Sequence, residues 1–157
     1  MITGLKPRGF TWVIANRLAV SERIGGHGFQ HRRVRREEEI NWLVREAEIT
    51  DVVTLLAGNQ NLAAYEAAGL RTHTVPVGVE PARIDAGPLY ETLDRLLNNP
   101  KARVLVHREI VDDVVGGLMG GYLIASGLVS DPILASALIQ EILGRALGPE
   151  GRALIRA

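Results

Sequence analysis

Apolar and polar residues along this chain alternate between two periods. Phe10-Thr11-Trp12-Val13-Ile14 is aromatic and β-branched, and Leu18-Ala19-Val20-Ser21 is short and apolar, so both read as strands. From about Arg35 to Glu48 the period changes, with Ile40, Leu43, Val44 and Ala47 at helical spacing and charges elsewhere. Asp51-Val52-Val53-Thr54-Leu55-Leu56 returns to a strand pattern. Residues 61–68 predict a short helix closed by Gly69, a glycine suited to the left-handed turn after a helix end. Thr72-His73-Thr74-Val75-Pro76-Val77 is a strand, and its proline points to a sheet edge or a strand terminus. Pro88 to Leu97 predicts a helix with Leu89, Leu93, Leu96 and Leu97 on one side, stopped by Asn98-Asn99-Pro100. Arg103-Val104-Leu105-Val106-His107 is nearly all apolar, the pattern of a strand buried on both faces. Helices are predicted over 112–126 and over 131–146, the latter opened by Asp131-Pro132, and a short helix in the tail beyond Gly148. Residues 1–9, 21–28 and 78–87 read as irregular, because glycine and proline interrupt them.

Strands alternating with helices predict an α/β fold: a mostly parallel central sheet flanked by helices. A chain of 157 residues suits one domain, read as 10–157 behind an irregular lead-in at 1–9. In open sheets of this kind ligands sit beyond the carboxyl ends of the strands, and His107 stands at such an end. Composition narrows the chemistry. There is no cysteine, which excludes disulfides, thiolate metal sites and any thiol nucleophile. Lys plus Arg and Asp plus Glu both number 18, so net charge gives no global attraction for nucleic acid. No apolar run reaches the ~18–20 residues that span a bilayer, and the N-terminus lacks the apolar core of a signal peptide. The expectation is a cytoplasmic protein without cofactor or metal and with neither nucleic-acid nor membrane binding.

The segment Val104-Leu105-Val106-His107-Arg108-Glu109-Ile110-Val111-Asp112-Asp113-Val114-Val115-Gly116-Gly117 has the frame of a phosphate-binding loop: apolar strand, histidine, short loop, glycine-containing helix. It resembles the signature V-x-V-H-C-x-x-G-x-x-R-S/T-G of the cysteine-dependent dual-specificity protein phosphatases. Other blocks share the resemblance in the same order: Phe10-Thr11-Trp12-Val13 with Leu18-Ala19-Val20-Ser21, Ile49–Leu55, Ala64-Tyr65-Glu66-Ala67-Ala68-Gly69-Leu70 before Val75-Pro76, and Gly120-Gly121-Tyr122-Leu123. The resemblance implies a phosphatase-like fold over most of the chain. It also implies that the functional residues are lost. Arg108 stands in the place of the nucleophilic cysteine, Val111 of the loop glycine, Val114 of the phosphate-clamping arginine and Val77 of the general-acid aspartate. Arginine is always protonated and is no nucleophile for this chemistry. Valine neither stabilises charge on a transferring phosphoryl group nor donates a proton.

Two readings of the loop stay open. In the plainer one, residues 107–114 form a capped strand-to-helix connection, with Glu109, Asp112 and Asp113 at the positive helix end that an anion would need. In the sharper one, the cleft serves as a phospho-ligand or small-ligand sensor, or runs non-phosphatase chemistry on His107, Arg108, Glu109, Asp112 and Asp113. The leading expectation is a catalytically inactive phosphatase-like protein that binds a protein partner, or a second copy of itself, as a scaffolding or regulatory domain. His31-Arg32-Arg33-Val34-Arg35-Arg36 followed by three glutamates is the densest charge block. Arg32, Arg33, Arg35 and Arg36 read as a basic patch for an acidic partner, or more plainly as a solvated helix start with i,i+4 pairs such as Arg35–Glu39. Gly116, Gly117, Gly120 and Gly121 inside a predicted helix imply close backbone packing, on the sheet or at a dimer contact.

Overall fold

A computed structural model of the chain describes residues 4–59, 61–78 and 80–156. Part of the predicted lead-in, residues 1–3, and Val79 in the loop after the 72–77 segment lie outside them. Five strands form one sheet: β1 (Thr11–Ile14), β2 (Leu18–Ser21), β3 (Asp51–Thr54), β4 (Arg71–Thr74) and β5 (Val104–His107). Their spatial order is β1-β2-β5-β3-β4. β1 and β2 form an antiparallel hairpin, and every other pairing is parallel. The helices are α1 (Arg33–Arg45), α2 (Leu62–Ala67), α3 (Gly87–Leu97), α4 (Asp113–Ala125), α5 (Pro132–Leu143) and α6 (Pro149–Ala153).

Strand periodicity sorts the core into two layers. Leu18, Val20, Val53, Val104 and Val106 face one side of the sheet, where Leu89 and Leu93 of α3, Leu118 and Met119 of α4 and Ile139 of α5 cover them. Ala19, Val52 and Leu105 face the other side, against Ile40 and Leu43 of α1 and Tyr65 of α2. β5 is buried along its whole length because it is the central strand, covered on both faces. β4 is one of the two edges, and its exposed and half-buried residues fit that position.

The predicted elements are present, with shifts at their ends. The helix expected over 131–146 stops at Leu143, because Gly144 adopts the left-handed conformation and ends it. α4 starts at Asp113, with the Asp112 side chain accepting a hydrogen bond from Val115 N at 3.0 Å as N-cap. The 72–77 segment is regular strand only as Arg71–Thr74, and beyond it Val75 N and Val77 N still donate to Thr54 O and Leu55 O. The four α4 glycines face other parts of the same chain and not the sheet. A Cβ on Gly116 would lie 2.7 Å from Leu147 Cδ2, one on Gly117 would meet the Gly151 backbone, and one on Gly120 would lie 2.5 Å from Ile155 Cδ1. They form the bed on which the chain's own C-terminal segment lies.

Candidate functional site

Parallel pairing brings the carboxyl ends of β2, β5, β3 and β4 to one edge of the sheet. His107 closes β5 there, in register with Ser21 on one side and Thr54 on the other. Its side chain is 0% exposed. Asn59 Nδ2 donates toward His107 Nε2 at 3.2 Å, and Thr54 Oγ1 lies 2.9 Å from the same nitrogen. Nε2 is therefore the acceptor, and Nδ1–H donates to Arg108 O at 3.2 Å. Burial pushes the His107 imidazole down to about 4, against the smaller opposing effect of the Arg108 carbonyl. The ring is neutral at physiological pH, and both of its nitrogens are engaged inside the protein.

The residues that follow turn their polar groups onto the protein itself. The Arg108 side chain is 12% exposed, and its Nη2 donates to Gly78 O at 2.6 Å. Its Nη1 lies 3.6 Å from Asp112 Oδ2. Arg108 thus ties the loop after β5 to the loop after β4. Glu109 accepts from Arg23 Nη1 at 2.7 Å, and its carbonyl accepts from Arg23 N at 3.2 Å. His27 Nδ1 stands 3.9 Å from the same carboxylate. Ile110 is exposed, and Val111 is half-buried with its carbonyl taken by Arg145 Nη1 at 3.0 Å. Asp112 caps its own helix. Asp113 accepts from Gly148 N and Gly151 N, both at 2.6 Å, so its carboxylate caps α6 from outside. The two neighbouring aspartates point to different partners. Val114 and Val77 both lie in the apolar core.

The sequence places these positions in a row, and the structure sorts them by direction. Val77 and Val114 leave the cleft for the core, and Asp113 leaves it for α6. Arg108, Glu109 and Asp112 stay at the cleft as members of ion pairs. Sequence reasoning missed Arg23, Asn59 and Asn61. Asn61 Nδ2 donates to Ile24 O at 2.6 Å, its Oδ1 lies 3.1 Å from His31 Nε2, and its backbone N–H donates to Asn59 Oδ1 at 2.9 Å. The two asparagines carry a chain of hydrogen bonds from His107 to the loop before α1. Their only sequence signal is a turn rich in Gly and Asn. Among the described residues, no three His, Asp or Glu side chains gather where they could hold a metal ion.

The structure divides the four arginines, and the expected Arg35–Glu39 pair is present. Arg35 Nε donates to Glu39 Oε2 at 2.9 Å, and Glu39 is 1% exposed, its Oε1 accepting from Gly25 N at 2.7 Å. Arg36 is half-buried. The α1 start is thus neither a four-residue basic patch nor a wholly solvated helix face. Only Arg32 and Arg33 stand out into solvent, because the helix turns the next two arginines toward the preceding loop.

No protein-family model and no curated protein matches the chain by sequence. Solved structures match it by fold. The core catalytic domain of the PP-IP phosphatase SIW14 from S. cerevisiae superposes with a TM-score of 0.70 at 15% identity, over 98% of this chain and 87% of that one. The chain has the fold of the cysteine-dependent dual-specificity phosphatases. Kinase associated phosphatase, in a form with its catalytic cysteine replaced by serine, matches with a TM-score of 0.69 at 16% identity, over 96% and 93% of the two chains. A point variant of human DUSP28 matches with a TM-score of 0.65 at 16% identity, over 96% and 92%. This phosphatase fold is built here without any cysteine. Among the described residues, no helix is long and apolar enough to cross a membrane.

Proposed function

We propose that this phosphatase-fold domain performs no cysteine-dependent phosphate-ester hydrolysis and acts by binding a protein partner. The observation that carries the reading is Arg108. At the position where the resemblance expects the nucleophile, a guanidinium braces the catalytic-loop frame to Gly78 O and Asp112. A thiolate nucleophile is absent from the whole chain. The two positions that would hold a clamping cation and a proton donor carry valines in the apolar core.

An enzyme of different chemistry in the same cleft finds little support. Its candidate base, His107, is buried with both ring nitrogens engaged. Asp113 is committed to two backbone amides and Glu109 to Arg23. Aryl-phosphate hydrolysis by the purified chain tests the reading. The expected result is no turnover above the buffer blank, for the native chain and equally for Arg108→Cys. The single replacement returns a thiol but leaves Val77 and Val114 in the core. Saturable turnover by the native chain would overturn the catalytic half of the proposal.

A further inference from the structure

The connection between β2 and α1 presents an apolar group that the fold does not use. The chain has two phenylalanines. Phe10 is in the core, whereas Phe29, in the 3-10 turn Gly28–Gln30, is 100% exposed. Val34, at the start of α1, is 69% exposed. Scattered exposed apolar residues are ordinary on a surface. A wholly exposed aromatic on a well-anchored loop is a different matter, because little ordering remains to be done on binding.

This loop is anchored at both ends. Gly25 and Gly26 take φ of 85° and 95°, a conformation that side chains strain, and a Cβ on Gly26 would lie 2.6 Å from Gln30 O. Gly25 N is held by buried Glu39, and Arg32 N donates to Gly25 O at 2.9 Å. Asn61 holds Ile24 O from inside and His31 Nε2 from below. Arg32 Nη1 donates to Phe29 O at 2.7 Å and to His31 O at 2.9 Å, so the guanidinium closes the turn beside the ring.

The charge at the start of α1 is basic. The first turn of α1 contains no acidic residue, and its N-cap, Arg32, makes no side-chain cap. Arginines at a helix N-terminus oppose the helix dipole, so helix stability does not account for them. Arg33 shares Glu37 at 3.0 Å, while Arg32 has no carboxylate partner among the described residues. A carboxylate brought by a partner would complement both the helix end and Arg32.

We propose that Phe29 and Val34, with Arg32 and Arg33, form a docking surface for an acidic protein segment that carries an apolar anchor. The proposal rests on the reading that the domain acts by binding a protein, and it names the surface and the partner's chemistry. A second copy fits poorly, since a two-fold contact would face the same arginines across itself. An anionic membrane fits poorly as well: polybasic segments that hold one carry about four to eight Lys or Arg. The His27 contact with Glu109 sets this surface beside the degenerate loop.

The experiment is a random peptide display library selected on the full chain. Recovered peptides are then titrated by fluorescence anisotropy and mapped by amide NMR shifts. The expected peptides carry Asp or Glu flanking an apolar residue and shift the amides of residues 27–34. Phe29→Ala and Arg32→Glu weaken them about tenfold or more, whereas Ile133→Ala on α5 leaves the affinity unchanged. Phe29→Ala should melt as the native chain does, since the ring touches little. Peptides lacking acidic residues, or binding both loop variants normally, would overturn the surface. Shifts confined to α5 would overturn it too, yet leave the protein-binding reading standing. A library with no binder would count against both. Sedimentation with phosphatidylserine vesicles, abolished by Phe29→Ala, would replace the protein partner with a membrane. Phosphate-ester turnover would sink the catalytic half of the function and leave this surface untouched.

Discussion

Arg108 and Val114 show how one position's neighbours decide what a substitution means. Arg108 is nearly buried yet satisfied, with a backbone carbonyl and a carboxylate in reach. Val114 is buried and packs in the apolar core. Returning an arginine to 114 therefore buries an unpaired guanidinium. Val114→Arg is expected to cost about 3 kcal/mol or more and to lower the urea midpoint sharply, with no gain in phosphate affinity. A variant as stable as the native chain would show that residue 114 turns readily into the cleft. The same reasoning applies to Val77, which also lies in the apolar core.

At the scale of elements, the strand-to-helix connection after β5 has become a joint between α4 and α6. Asp112 caps its own helix, and Asp113 caps the next-but-one. The glycines of α4 admit α6 to backbone contact, at a propensity cost of about 1 kcal/mol each against alanine. Removing the Asp113 carboxylate strips two amides of their acceptor. Asp113→Ala is expected to lose about 2–3 kcal/mol, and its hydrogen exchange should accelerate at 148–155 before it does in the sheet. Uniform acceleration over the whole chain would mean that α6 does not unfold separately. Short, five-residue α6 could not persist alone. Its stability comes from this acid and from the bed beneath it.

For the whole molecule, stability should depend on acid in two steps. His107 is neutral when folded, with its pKa lowered from 6.5 to about 4 by burial. The unfolded chain binds a proton there over that interval and the folded chain does not. Stability is therefore full above about pH 6.5 and falls as pH drops toward 4. Asp51 acts at lower pH. Burial opposes its charge, but hydrogen bonds from Arg71, Thr50 and His73 outweigh that and hold its carboxyl below the usual value. Its contribution is present above the ordinary carboxylate range and is lost as pH falls through the folded pKa. Urea midpoints at pH 7 and pH 5 should differ, and His107→Gln should flatten that difference. An unchanged slope in the variant would assign the acid sensitivity elsewhere.

The linear chain by itself determined the layers, the central position of β5 and the absence of a thiol nucleophile. Each depends on residue type and period: two for strands, 3.6 for helices, and the presence or absence of sulfur. The same is true of the cap at Asp131, where a short oxygen-bearing side chain sits just before an apolar helix. Direction and pairing at longer range had no such signal. That Glu39 is buried and accepts from Gly25 N, that Asp113 reaches α6, and that Asn59 and Asn61 run from His107 to the loop before α1 all depend on segments meeting in space. The α4 glycines announced close packing, but only the tertiary structure decided that the chain's own C-terminal segment fills it. Burial and hydrogen bonding between distant residues are set by how layers stack, and no local pattern encodes that partner.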